Sequence, residues 1–434
     1  MDKMADVLGR AGAWCGQNKY LSAIKNAFQN FMPLTIAGAI GVLWCNVLVN
    51  DQTGLGLFFK PIMALDFLNP AFQAVNFCTI SCITVGITLG IAQEIGVWNM
   101  GAERAGYIPG LVGLAAWLSV TNTSHMVEGA KEAFTGIAGN ELGATGLFTG
   151  MIIGVLSVEL FCFFEKQDAL KIKMPEQVPP GVARAFEVLV PATITLIITA
   201  CIGSACYNLT GLYLNDVIKN GIQGPLGAVG ATIPGVMIIY LVIMLFWLVG
   251  IHGNNMLSAV KEALFTPLAL ENVEKFNKGE KPTNIINMYA LQMWGEFGGS
   301  GVTIGLVIAI MIFGKREDNK AIATLSLVPG LFNINETVTF GIPMVLNPIL
   351  GIPFVVAPLI TIIIGYVLTV IGFCPVACLT VPWTTPPIVF GFLACGANVM
   401  GAVTQAILIV VSTVIYTPFL ISYEKYQNKQ VAEA

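Results

Sequence analysis

Long apolar runs, separated by short polar or glycine-containing segments, dominate this chain. A helix of about twenty apolar residues crosses the hydrocarbon core of a bilayer. Such runs recur at 31–49, 79–95, 143–164, 189–207, 227–250, 352–373 and 400–422. The pattern predicts an all-α polytopic membrane protein with about 10 transmembrane helices, some broken. Up to residue 207 the pattern is regular, with candidate spans near 28–49, 71–95, 105–120, 143–164 and 186–207. The stretch TGLYLNDVIKNGIQGP is polar and amphipathic. Beyond it, Gly, Pro and Asn interrupt the apolar runs in HGNN, EFGGSG, VPGLFNINE, VLNPILGIP and VPWTTPP. The expected organisation is an N-terminal five-helix domain over 1–207, an amphipathic linker over 208–226 and a C-terminal domain of broken helices over 227–434.

Composition agrees with this class. Of 434 residues, 56% are hydrophobic and 11% charged, against about 25% charged in soluble domains. The first apolar run follows a polar leader, 1–30, with no small-residue cleavage pattern. That leader suits either an amphipathic surface helix, with Lys3, Arg10, Lys19 and Lys25 toward headgroups, or a solvated N-terminus. The net charge of −4 is spread over loops, and no basic patch suggests nucleic acid. The ten cysteines lack zinc or redox spacing; Cys78/Cys82 and Cys374/Cys378 sit in apolar sequence where small packing residues are expected.

Lys and Arg gather in cytoplasmic loops. The basic leader, the loop carrying Lys166, Lys171, Lys173 and Arg184, and the tail SYEKYQNKQ therefore all belong inside, with 208–226 outside. A single full span at 286–313 breaks the parity that places Lys315 and Arg316 inside. A re-entrant hairpin within 251–300 repairs it, and so does a displaced loop at 314–320. Irregular backbone at membrane depth survives only against protein or a water-filled cavity.

Three isolated polar residues stand out in the C-terminal half. Glu336 is the only Asp, Glu, Lys, Arg or His between Lys320 and Glu424; His252 is alone between Lys219 and Lys261, and Glu296 between Lys281 and Lys315. Each lies beside Gly or Asn. A carboxylate in hydrocarbon costs several kcal/mol unless partners offset it, so such residues mark functional sites. A lone intramembrane histidine also serves as a simple interhelical hydrogen-bonder, and Glu296 could cap a half-helix or anchor a loop. Carboxylates and amides (Asn254, Asn255, Asn333, Asn335) suit a polyhydroxylated ligand. Trp383 offers either an aromatic face to a sugar ring or an interfacial anchor. No P-loop, nucleophile elbow, H-E-x-x-H or metal-ligand cluster is present, so no metal or cofactor is expected. His125 falls in a predicted external loop.

The segments VPPGVARAFEVLVP, GIHGNN, PGLFNINETVTFGIPMVLNPILGIPF and VPWTTPP occur in an order that resembles the membrane (IIC) component of bacterial phosphoenolpyruvate-dependent sugar phosphotransferase systems, in the lactose/cellobiose/diacetylchitobiose group. The resemblance covers the whole chain. NINE…FGxPxVLNPxxxIPF is its most specific element, HGNN less so, and VPPGV weak alone. One departure is visible: Thr337 stands where the family commonly has Pro, so the loop at Glu336 is less restricted.

The resemblance implies a permease of the bacterial inner membrane with both termini cytoplasmic, dimerising through its N-terminal helices. A β-linked disaccharide would be held between re-entrant hairpins of the C-terminal domain. It would be phosphorylated during import by a phosphocysteine on a separate IIB protein, with IIA and HPr upstream. Glu336 and His252 would bind the accepting hydroxyl. Trp383 would lie against the sugar, with Asn254, Glu296 and Asn335 as further contacts. No IIA or IIB domain is expected after the last span, where only 423–434 remain. A proton-coupled secondary sugar transporter with Glu336 as proton carrier is the alternative, and a non-transporting scaffold or receptor a more distant one.

Overall fold

A computed structural model describes residues 10, 13–14, 17–51, 55–125, 134–175, 177–342 and 344–433. Lys3 and most of the leader lie outside the described residues. Among the described residues the structure is mostly helical, and its only strands form a two-rung antiparallel pair, β1 (Ser124–His125) with β2 (Phe134–Thr135), registered Ser124 to Thr135. Among the described residues six helical segments are long and apolar enough to cross a membrane, or seven if one bent pair counts as a span.

Two predicted spans come out shorter than the apolar runs suggested. The run at 105–120 yields a helix of 13 residues and the run at 227–250 one of 16, about 24 Å for the latter. Proline begins both. In the second, the Thr232 side chain accepts the Gly235 N–H at 3.2 Å and caps the N-terminus. Gly250, at φ +80°, lies just beyond its end. Apolar composition runs through such breaks; helical hydrogen bonding does not.

The chain forms two compact units. One comprises Gln17–Gly38 and Val75–Ala228. Its long helices are α1 (Lys19–Leu43, which continues into the other unit), α2 (Ile83–Met100), α3 (Ile108–Val120), α4 (Ala144–Glu165) and α5 (Pro180–Thr210). Small residues let α2 and α4 approach closely, the usual solution where lipid gives helices no hydrophobic drive to associate. A Cβ on Gly150 would stand 2.2 Å from Thr88 Oγ1 and 2.8 Å from Thr84 Cγ2. Gly150→Val is therefore expected to lower the detergent-solubilised melting midpoint, at a cost of about 1–3 kcal/mol; an unchanged midpoint would mean that the helices part freely.

The polar contacts of this unit lie mostly toward helix ends. Glu165, buried at the end of α4, accepts from Arg104 at 2.8 Å and Arg184 at 2.9 Å, and Glu187 bonds both arginines at 2.9 Å. Lys19 pairs with Glu159 at 2.6 Å, and Asn26 donates to Glu94 at 2.9 Å. The amphipathic stretch after α5 packs on α4, where Thr149 donates to the buried Asn215 at 2.6 Å.

The other unit joins Ala39–Ala74 to Val229–Ala434, together with the described residues before Gln17. Residues 39–74 are tied in by Asn46, whose amide donates to Asn277 at 3.2 Å. The main helices are α6 (Ile233–Leu248), α7 (Gly253–Met256), α8 (Ser258–Asn277), α9 (Met288–Gly295), α10 (Ile304–Phe313), α11 (Glu317–Leu331), α12 (Glu336–Gly341), α13 (Gly351–Val370), α14 (Val389–Ala394) and α15 (Val399–Glu433). α9 and α10 are bent by 60° across their break. Near the end of α15, buried Glu424 accepts from the Lys315 N–H at 2.8 Å and the Asn319 amide at 3.1 Å. Residues 315–319 and the basic tail thus lie at the same face of this unit.

Candidate substrate site

Four interruptions in the helices of the second unit meet at one place, and each is a motif visible in the sequence. The hub is the loop between α9 and α10, EFGGSG. Gly298, Gly299 and Gly301 all take positive φ, +67°, +88° and +78°, a region in which a Cβ is penalised. Space forbids side chains there as well: a Cβ on Gly299 would meet Asn335 at 2.6 Å, and one on Gly301 would meet Phe354 at 2.3 Å. The backbone turns sharply enough to expose its polar groups to side chains from elsewhere. Ser300 Oγ accepts from Asn254 Nδ2 at 2.9 Å, and Ser300 O accepts from Asn335 Nδ2 at 2.7 Å. One serine therefore joins HGNN to NINE.

Asn333 fastens the remaining loop. It sits at φ +62°, a conformation asparagine tolerates better than most residues. Its Oδ1 accepts the Gly298 N–H at 2.6 Å, while its Nδ2 donates to Trp383 O at 2.5 Å and Thr385 O at 3.0 Å. The VPWTTPP loop is held in this way, and the Trp383 side chain is left 45% exposed.

His252 caps the short helix α7. Its Nδ1 accepts the Asn255 N–H at 3.2 Å, so in the neutral ring the proton is on Nε2. Nε2 lies 4.0 Å from Glu336 Oε1, too far for a direct hydrogen bond. The Trp247 ring, 4.5 Å from the imidazole between centroids, fixes the ring plane from one side. The Glu336 side chain is 48% exposed and that of His252 39%. A hydroxyl at about 2.8 Å from each would be received by both. Glu336 is the first residue of α12, a backbone state that a proline at 337 would disfavour; Thr337 permits it.

Asn254, Asn335, His252 and Glu336 thus come together, and Trp383 is anchored to the same network through its carbonyl. Glu296 behaves differently. Its carboxylate is bonded by Lys261 Nζ and, at 2.7 Å, by Tyr240 OH. Lys261 and Tyr240 were not among the candidate residues. Lys261 entered the sequence only as the end of a charge-free run, yet an isolated glutamate at depth calls for a cation, and Lys261 is the first lysine after His252. Ser300 was hidden inside a glycine motif. The buried Oδ1 of Asn254 has no partner among the described residues, a cost of about 1–3 kcal/mol that a ligand donor would relieve. Among the described residues no group of three His, Cys, Asp or Glu could hold a metal ion.

Helices of membrane-spanning length, interrupted where polar side chains converge in the second unit, define a multi-pass membrane protein. A family profile described as phosphotransferase system, EIIC, matches residues 25–358, and the chain belongs to that family. It is 32% identical to the oligo-beta-mannoside-specific EIIC component of Bacillus subtilis (strain 168), over 98% of this chain and 94% of the relative. It is 30% identical to the cellobiose-specific EIIC component of Lactococcus lactis subsp. lactis (strain IL1403), over 99% and 98%. The crystal structure of ChbC, the IIC component from the N,N'-diacetylchitobiose-specific phosphotransferase system, matches with a TM-score of 0.88 at 29% identity, covering 97% of both chains.

Proposed function

We propose that this chain imports a β-linked disaccharide of the cellobiose, diacetylchitobiose or lactose type and presents it for phosphorylation by phospho-IIB. The observation that carries this is the Glu336–His252 pair, 4.0 Å apart with both side chains partly exposed, and with the imidazole proton on the nitrogen nearer the carboxylate. A sugar hydroxyl between them donates to Glu336 and accepts from His252 Nε2. The hydroxyl oxygen attacks the phosphorus of the IIB phosphocysteine. The O–P bond forms as the S–P bond breaks, the cysteine leaves as thiolate, and Glu336 takes the hydroxyl proton. The product carries roughly two added negative charges and is repelled by Glu336 once that residue has passed its proton to water and is a carboxylate again. Trp383 supports the sugar face; Asn254, Glu296 and Asn335 contact or position the remainder.

The wider arrangement follows the same reading. The N-terminal helices form a homodimer, about 10 spans and re-entrant hairpins complete the membrane domain, and both termini face the cytoplasm of a bacterial inner membrane. IIA and HPr supply IIB with phosphate. The test is uptake of radiolabelled cellobiose, diacetylchitobiose and lactose into vesicles, with and without phosphorylated IIB, followed by identification of the internal product. Phosphorylated sugar that appears only with phospho-IIB is expected. Unmodified sugar accumulated on a pH gradient alone would establish the secondary-transporter alternative instead.

A further inference from the structure

Cys374 stands near Cys378 in the sequence, yet its thiol meets Cys395, 21 positions away, with 3.9 Å between the sulfurs. Both residues are buried and both are free thiols. Each sulfur also reaches the same carbonyl, Pro375 O, at 3.4 Å from Cys374 and 3.3 Å from Cys395. The backbone is tied at the same place, since the amides of Cys378 and Leu379 donate to Ala394 O at 2.8 and 3.1 Å. A disulfide holds its sulfurs about 2.05 Å apart. The two segments are thus already side by side, and only the side chains have to close the gap.

The pair lies at the far end of α15 from the basic tail. Cys395 shortly precedes Val399, where α15 begins, and Glu424, which accepts from the Lys315 N–H, is near its other end. The rise between Val399 and Glu424 is about 38 Å, more than the ~30 Å hydrocarbon core of a bilayer. The surroundings at the cysteine end are those of a surface. A Cβ on Gly396 would stand 2.9 Å from the ring of Phe276, which leads into the charged loop 278–281. Asn272 and Asn287 both donate to Ala377 O, at 3.0 and 3.1 Å. Exposed Gly372 and Asn398 bracket the two cysteines along the chain, so a local opening admits a reagent. With the tail cytoplasmic, as proposed above, the thiols belong to the outer face, away from the reductants that keep cytoplasmic cysteines reduced.

We infer that Cys374 and Cys395 are a disulfide-forming site at the outer face, and that the bond staples the loop carrying Trp383. The co-reactant is an external disulfide. One cysteine thiolate attacks it, forming a mixed disulfide and releasing one thiol; the second thiolate attacks the protein sulfur of that intermediate and releases the other. The two electrons lost by the cysteines reduce the external disulfide, and their two protons end on the released thiols. The bond closes a loop that contains VPWTTPP, which Asn333 holds from the opposite side through Trp383 O and Thr385 O. Closing such a loop restricts the unfolded chain and stabilises the folded one. The thiol chemistry is independent of the proposed function; only the choice of face rests on the orientation given with it.

The experiment treats the full chain in right-side-out vesicles with oxidised glutathione, which does not cross the bilayer. Free thiols are then alkylated in denaturant and the digested chain is mapped by mass spectrometry. A peptide pair linked through Cys374 and Cys395 is expected, lost on reduction with dithiothreitol and absent when the reagent is added to inverted vesicles. In nanodiscs the same oxidation should raise the melting midpoint by a few degrees, reversibly. Cys374→Ala and Cys395→Ala should abolish that shift, and Cys378→Ala should retain it. Recovery of both cysteines as alkylated thiols, or a bond from either to a different cysteine, would overturn the site; a link formed only in inverted vesicles would overturn its placement outside. Should the alanine variants fail to fold, the wild-type peptide map decides alone. Cellobiose binding is measured on the same nanodiscs: its absence counts against the proposed function and leaves the peptide map to judge the disulfide.

Discussion

Glu336→Gln is expected to lower phospho-IIB-dependent sugar uptake into vesicles by about 10²–10⁴-fold, the range of a positioned general base, while leaving the melting midpoint of the chain unchanged. Stability is spared because the side chain is half exposed and makes no direct hydrogen bond to His252 across 4.0 Å. Activity is lost because an amide still accepts a hydrogen bond but cannot take the proton as the hydroxyl attacks phosphorus. Equilibrium binding of unmodified sugar should fall far less than uptake. That split separates removal of a base from loss of the pocket. Normal phosphorylating uptake in this variant would end the assignment of Glu336, whatever the fate of sugar binding.

Asn333→Ala is expected to abolish measurable disaccharide binding and to lower stability by about 3–4 kcal/mol, from three hydrogen bonds at roughly 1 kcal/mol each and a further penalty for alanine at positive φ. The amide touches three backbone groups in two loops, Gly298 N, Trp383 O and Thr385 O. Without it the loop that carries Trp383 is released from the loop that carries Ser300. Asn333→Gly keeps the backbone conformation and loses the same three bonds, so it should recover only the backbone part of the loss, about 1 kcal/mol. Asn333→Asp keeps the acceptor and loses the two donated bonds, which isolates the hold on Trp383. Thermal melting and cellobiose binding on the three variants check the order. Wild-type binding in Asn333→Ala would show that the loops are fixed by something else.

His252, Glu296 and Glu336 were each conspicuous along the chain for one physical reason: an ionisable group in a long apolar run must be explained by a partner or a ligand. The glycine and asparagine breaks around them were equally plain, since such residues adopt at least cost the positive-φ turns found at Gly298, Gly299, Gly301 and Asn333. What stayed hidden was pairing. Asn254 and Ser300 are 46 positions apart, Asn333 and Trp383 50, Lys261 and Glu296 35, and no local pattern encodes which of several isolated polar groups will meet.

The sequence by itself determined the membrane class, the family resemblance and the candidate residues, because apolar run length and the rarity of charge are properties of the chain read in order. Tertiary structure alone decided that His252 and Glu336 face one another, that Ser300 joins two motifs, and that Glu296 is held by Lys261 and Tyr240. It also decided where apolar runs stop being helices, as at Gly250 and between α9 and α10. Hydrophobicity is additive along a segment. A hydrogen bond needs its partner within about 3 Å, and only the folded packing of distant segments brings it there.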